Sequence, residues 1–146
     1  MHDTPMRGAR ITGWGTALPE KVLTNDDLSQ MVDTNSEWIK ERSGIEERRI
    51  GGSTSGLAIE SAQKAMAMAG VDPAQIDMVL LATTTPDDQV PATAPTIQHE
   101  LGLKCGAMDL NAACSGFIYG VDGRKGTHRQ APPLRRESEP EPRLHD

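Results

Sequence analysis

Aromatic side chains are scarce in this sequence: Trp14, Trp38, Phe117 and Tyr119 make up 3% of its 146 residues. Any interior must therefore be assembled from Ala, Leu, Ile, Val and Met. Cysteine is scarcer still. Cys105 and Cys114 are too few for a disulfide scaffold. Neither belongs to a CxxC or a His/Cys cluster of the kind that holds zinc. The four histidines, His2, His99, His128 and His145, are scattered. Long apolar runs are missing as well, Met78 to Ala82 being far short of a membrane span. There is no basic stripe: 15 Lys and Arg against 21 Asp and Glu give a net charge of −6, which argues against general nucleic-acid binding. Met1 to Arg10 carries no apolar signal region. Together these absences predict a cytoplasmic protein with no metal, nucleic acid or membrane as partner.

What is present is unevenly spread. Residues 1–120 hold 49 of the 53 hydrophobic residues, and 121–146 hold only Val121, Ala131, Leu134 and Leu144. Those last 26 residues also carry four of the ten prolines and 11 of the charged side chains. So few apolar groups cannot offset the entropy of ordering a segment. The expectation is one folding unit over 1–120 and a Pro/Arg/Glu-rich, disordered or irregular tail over 121–146.

Within the first unit, Arg10 to Leu18 reads as a strand that Pro19 stops. Thr24 is a helix N-cap, with Asp26 and Asp27 in the first turn and Leu28, Met31 and Val32 as the buried positions. Thr34 or Ser36 opens a second short helix that Gly44 ends, and Glu46 to Ile50 can pair as a strand. Ser55 to Ala69 is the clearest helix, with Leu57, Ala58, Ala62, Ala65, Met66 and Ala69 at helical spacing and Gly70 closing it. Asp77 to Thr83 is a continuous apolar run, as in a strand buried on both faces. Ala92 to Leu101 is a helix with Pro95 in its first turn. Gly106 to Leu110 is a short strand, Asn111 to Ser115 a tight turn, and Gly116 opens a further helix. This alternation predicts an α/β fold with a mostly parallel sheet. Ligands in such sheets collect at the carboxyl ends of strands, here the turns Thr83–Pro91 and Asn111–Ser115.

Cys114 lies in the second of those turns, among small residues and ahead of an apolar helix start. A thiol there meets the positive end of the helix dipole, a setting that suits a nucleophile; an inert core cysteine fits the same pattern. Trp38 and Arg42 are four residues apart on one helix and share a face. An indole beside a guanidinium can stack a base and hold phosphate, or the pair can merely cover a half-buried tryptophan. Cys105 and His99 have no partners in view.

The stretches ITGWGTALPEKVLTNDDL, VDTNSEWIKERSGIEERRI, IDMVLLATTTPD and DLNAACSGFIYG follow one another from Arg10 to Gly120. In that order they resemble the N-terminal part of β-ketoacyl-acyl-carrier-protein synthase III, a condensing enzyme of thiolase fold. The resemblance implies a partial thiolase-like α/β fold. It makes Cys114, in AACSGF, the acyl-carrying nucleophile. Trp38 becomes the residue stacked on the adenine of coenzyme A, with Thr34 and Arg42 as further contacts to that nucleotide. The implied reaction is a decarboxylative condensation of an acyl-coenzyme A primer with malonyl-acyl-carrier protein, in a homodimer, with coenzyme A thioester as substrate and no cofactor.

Two departures qualify the resemblance. Val90 stands where many members carry a bulky aromatic that reaches the partner subunit's acyl pocket, so acyl-chain preference does not transfer. After Gly120 the resemblance stops. The family's carbanion-stabilising His and Asn belong to a C-terminal half with no counterpart here, and His128 and His145 sit in no matching motif. The expectation is a fragment or frameshifted product that neither condenses nor self-acylates in isolation. Alternatives are a non-catalytic or only acyl-coenzyme A-binding fragment, or a related thiolase-superfamily enzyme with another β-keto product.

Overall fold

The computed structural model describes residues 10–127. His2, His128, His145 and the tail from residue 128 onward lie outside the described residues. The described residues are mixed α/β, built from two two-stranded sheets and flanking helices.

The first sheet pairs β1 (Val22–Thr24) with β2 (Glu47–Arg49) in antiparallel register, Leu23 opposite Arg48. Thr24 then caps α1 (Asn25–Ser29). Its hydroxyl accepts the Asp27 N–H at 3.1 Å, and the Asp27 carboxylate accepts the Thr24 N–H at 3.0 Å. This reciprocal box satisfies two donors that a helix start leaves open. Helix α2 (Ser36–Ser43) is capped by Asn35, whose Oδ1 accepts the Trp38 N–H at 2.9 Å. The capping residue thus lies between the two candidates named from sequence. Gly44 ends α2 in the left-handed region at φ 69°, as expected.

The burial expected around α1 is corrected. Met31 and Val32 are exposed, and the enclosed residue is Asn25. The helix is only five residues long and ends before Met31, so the helical spacing that would have turned Met31 and Val32 inward does not operate.

Helix α3 (Thr54–Ala69) runs between the Ser53 cap and Gly70 in the left-handed region. Arg10 to Leu18 forms no strand ladder among the described residues, contrary to the sequence expectation. Its side chains still alternate: Gly13, Gly15 and Ala17 are half-buried, and Trp14, Thr16 and Leu18 are exposed. The inward glycines explain the placement. A Cβ on Gly13 would stand 2.3 Å from the Ala65 carbonyl oxygen, and one on Gly15 2.3 Å from that of Ser61. The segment is laid against α3 at a distance that only glycine permits, and Lys64 Nζ donates to the Thr16 carbonyl at 2.8 Å.

The second sheet pairs β3 (Met78–Ala82) with β4 (Gly106–Leu110) in parallel, Leu80 opposite Met108. The crossover that a parallel pair needs is supplied by α4 (Thr93–Glu100). Ala94, Ile97 and Leu103, in and just after α4, are the buried apolar residues of this part. β3 is half-buried rather than buried on both faces, because β4 is its only partner strand among the described residues. After β4 a 3-10 turn (Ala113–Ser115) leads into α5 (Gly116–Thr127). The composition break at residue 120 therefore falls inside a helix.

Candidate functional site

A cleft of about 440 Å³ opens at the carboxyl ends of β3 and β4, lined by Ala82, Thr83, Thr84, Ala113 and Cys114. Both turns singled out in the sequence contribute to it. Cys114 is exposed, while Cys105 is half-buried ahead of β4.

Cys114 is held by the backbone on either side. Ala113 adopts φ 44°, the one positive-φ non-glycine residue among those described. An alanine there is strained, and such strain collects where a side chain has to be aimed. The Ser115 N–H closes the turn on the Ala112 carbonyl at 3.0 Å. On the far side, a Cβ on Gly116 would stand 3.1 Å from the Ala82 Cβ. Glycine at the first position of α5 therefore lets the helix start touch the end of β3, which brings Cys114 beside Ala82.

The opposite wall is fixed by aspartates. Thr83 N–H donates to the Leu110 carbonyl at 3.2 Å, which ties the two strand ends together. The Asp87 carboxylate accepts the Thr54 and Ser55 N–H groups at 2.6 and 2.8 Å, and the Thr54 hydroxyl donates to the Thr85 carbonyl. The loop after β3 is thereby pinned to the start of α3. Hydrogen bonds from Ser55, then from Thr54, hold the Asp87 carboxyl below the usual carboxylate range. Asp109 of β4 does the same for α4: its carboxylate accepts the Thr93 N–H at 2.9 Å and the Ala94 N–H at 2.7 Å. Ala92, the capping residue of α4, has no side chain for that work. The Thr93 hydroxyl accepts the Asp87 N–H at 2.9 Å and joins the two clamps.

Thr34, Trp38 and Arg42 lie together on α2 and the turn before it, and none of them lines the cleft. Trp38 is 55% exposed. The Arg42 side chain is exposed and pairs with no carboxylate among the described residues, whereas Lys40 is held by Glu46 at 3.0 Å. The Thr34 hydroxyl oxygen is enclosed and has no hydrogen-bond partner. Val90, in the loop after β3, is 91% exposed and does not line the cleft either.

Thr83 and Thr84 carry no signal of their own in the sequence beyond the turn that contains them, and neither the two aspartate clamps nor Asn25 is among the residues expected from it. The signal for Asp109 was present, as an acid inside an otherwise apolar strand. Among the described residues there is no cluster of three or more His, Cys, Asp or Glu side chains, and no helix long and apolar enough to cross a membrane.

No family model matches the chain. Individual proteins do. The chain is 56% identical over 117 residues to β-ketoacyl-[acyl-carrier-protein] synthase III of Roseiflexus castenholzii, a match covering 77% of this chain and 36% of that protein. It is 53% identical over 120 residues to the protein of the same name from Symbiobacterium thermophilum, covering 80% and 36%. Among solved structures, 3-oxoacyl-[acyl-carrier-protein] synthase III from Aquifex aeolicus superposes with a TM-score of 0.78 at 43% identity, covering 83% of this chain and 40% of that one. The chain thus spans little more than a third of the length of the curated relatives it matches.

Proposed function

We propose that the chain, which matches part of the length of proteins named β-ketoacyl-[acyl-carrier-protein] synthase III, belongs to that family and carries the acyl-transfer half of a condensing enzyme's site. Cys114 is the nucleophile. Its sulfur attacks the carbonyl carbon of an acyl-coenzyme A thioester, the bond to the coenzyme A sulfur breaks, and that thiolate leaves with a proton. The acyl group then rests on Cys114 as a thioester, so its energy is kept while the second substrate arrives. The condensation that follows in the complete family enzyme, where malonyl-acyl-carrier protein loses CO2 and its carbanion attacks the acyl-cysteine carbonyl as the cysteine sulfur leaves, draws on the family's His and Asn, which have no match within residues 10–120. The product is a β-ketoacyl-acyl-carrier protein, in the initiation of fatty acid synthesis.

In the same reading Trp38 stacks on the adenine, while Arg42 and Thr34 meet the rest of the nucleotide. The exposed indole, the guanidinium with no acidic partner among the described residues and the enclosed Thr34 hydroxyl support this. Val90 belongs to an acyl-pocket contact between subunits of a homodimer, and its small side chain suits a roomier pocket than an aromatic would. Coenzyme A thioester is a substrate, no cofactor is required, and the setting is cytoplasmic.

The observation that carries the proposal is an exposed thiol beside a strained Ala113, at the mouth of a cleft between parallel strand ends. The test places residues 10–120 into the Aquifex aeolicus enzyme in place of its matching stretch. Condensation of acetyl-coenzyme A with malonyl-acyl-carrier protein is expected to persist. Cys114→Ala should abolish both the acetyl adduct seen by mass spectrometry and turnover, while Cys105→Ala should leave both. A folded chimera that acetylates elsewhere, or not at all, overturns the reading.

A further inference from the structure

Asn25 is 2% exposed, the largest fully buried side chain among those described, and it is polar. Burying an amide is unfavourable unless its hydrogen-bonding groups find partners. Here they are distributed to three different places. Its Nδ2 donates to the Ile45 carbonyl at 2.9 Å, just past the end of α2, and to the Ser36 hydroxyl at 3.4 Å, at the start of α2. Its Oδ1 accepts from the Arg48 guanidinium at 3.1 Å, on β2. One side chain at the start of α1 thus holds both ends of α2 and the neighbouring sheet.

We infer that Asn25 is a positioning residue for the nucleotide-binding face of α2, setting where Trp38 and Arg42 stand without touching the nucleotide itself. The inference rests on the reading of α2 given above. Its physical basis is the shortness of the elements. Helix α2 has eight residues and Ile39 as its one buried apolar residue, so packing alone fixes its orientation weakly. A bond at each end removes the tilt that a single apolar contact would leave. Asn25 also ties Ser36, Ile45 and Arg48 into one network.

The test uses the full 146-residue chain in a Trp14→Phe background, so that fluorescence reports Trp38 alone. Coenzyme A is titrated into wild type, Asn25→Asp and Arg48→Met. Alkylation of Cys114 by iodoacetamide serves as the control at the cleft, which no residue of α2 lines. Asn25→Asp keeps the shape and an acceptor for Arg48 but sets a carboxylate oxygen against the Ile45 carbonyl. A residue that acts on a site without touching its ligand can shift affinity by about tenfold, and a loss of that size for coenzyme A is expected in Asn25→Asp. Arg48→Met is expected to weaken it less, in the same direction, and both variants should alkylate Cys114 at the wild-type rate. Equal affinity in wild type and Asn25→Asp overturns the inference and leaves the reading of Trp38 standing. A parallel change at Cys114 also overturns it, since Asn25 would then support the whole fold. A wild-type chain whose Trp38 does not respond to coenzyme A removes the nucleotide reading, and this inference with it.

Discussion

The Asp87 carboxylate accepts the backbone N–H of Ser55 at 2.8 Å, from a loop thirty-two residues further along the chain. With its second bond to Thr54 it takes two of the donors that the start of α3 leaves open, and Ser53 takes a third through Gly56. A negative charge at that helix end is also favoured by the dipole. One residue thereby fixes both the helix and the loop carrying Thr83 and Thr84.

Asp87→Asn should lower the melting temperature at neutral pH, because the amide presents only one acceptor to two donors. The pH dependence gives the sign. The folded-state carboxyl titrates below the ordinary Asp value of 3.8. Its contribution is therefore complete above that value and is lost as pH falls through the lowered one. Melting curves of the two proteins should stay separated at pH 5 to 8 and converge on further acidification. A separation that persists unchanged into strong acid would show that the charge of Asp87 plays no part.

Much of the fold was legible because its punctuation is local. Thr24, Gly44 and Gly70 announce helix ends through their own chemistry, and the structure places all three as read. Cys114 was visible as a thiol after an apolar strand. Asn25 and Asp87 were not, since each acts on partners 11 to 33 residues away in sequence and no local pattern marks them, whereas Asp109 stood out only as an acid inside an apolar strand, with nothing local to name its partners on α4. The strand expected at Arg10 to Leu18 failed for a related reason. Alternation sets which side chains face inward, but a ladder needs a partner, and this segment meets a helix.

Gly13→Ala and Gly15→Ala test that packing. Each new Cβ would meet an α3 carbonyl oxygen at 2.3 Å, closer than van der Waals contact allows, so the segment must lift off. Each substitution should cost about 2 kcal/mol in urea unfolding. The double variant should cost less than the sum, because one lift relieves both clashes. Additive losses would mean that the two glycines act at independent sites.

The two thiols should be distinguishable without any substrate. Cys114 lies exposed at the cleft mouth and Cys105 is half-buried. Limiting iodoacetamide followed by peptide mapping should therefore label Cys114 first. Predominant labelling of Cys105 would contradict the placement of Cys114 at an open cleft.

Two glycines of α5 make an internally controlled test of how Cys114 is seated. Gly116 and Gly120 are one turn apart, and alanine is the better helix former at either by up to about 1 kcal/mol. Their surroundings differ. A Cβ at 120 would meet the Leu110 side chain at 3.9 Å, an ordinary contact, whereas one at 116 would press on the Ala82 Cβ at 3.1 Å. Gly120→Ala should therefore raise the urea midpoint and leave Cys114 labelling unchanged. Gly116→Ala should lose that gain or reverse it by about 1 kcal/mol, and it should change the labelling rate of Cys114 relative to Cys105, because the helix start has to move away from β3. If both variants are stabilised alike and Cys114 reacts as before, contact with Ala82 is not what holds the cysteine in place.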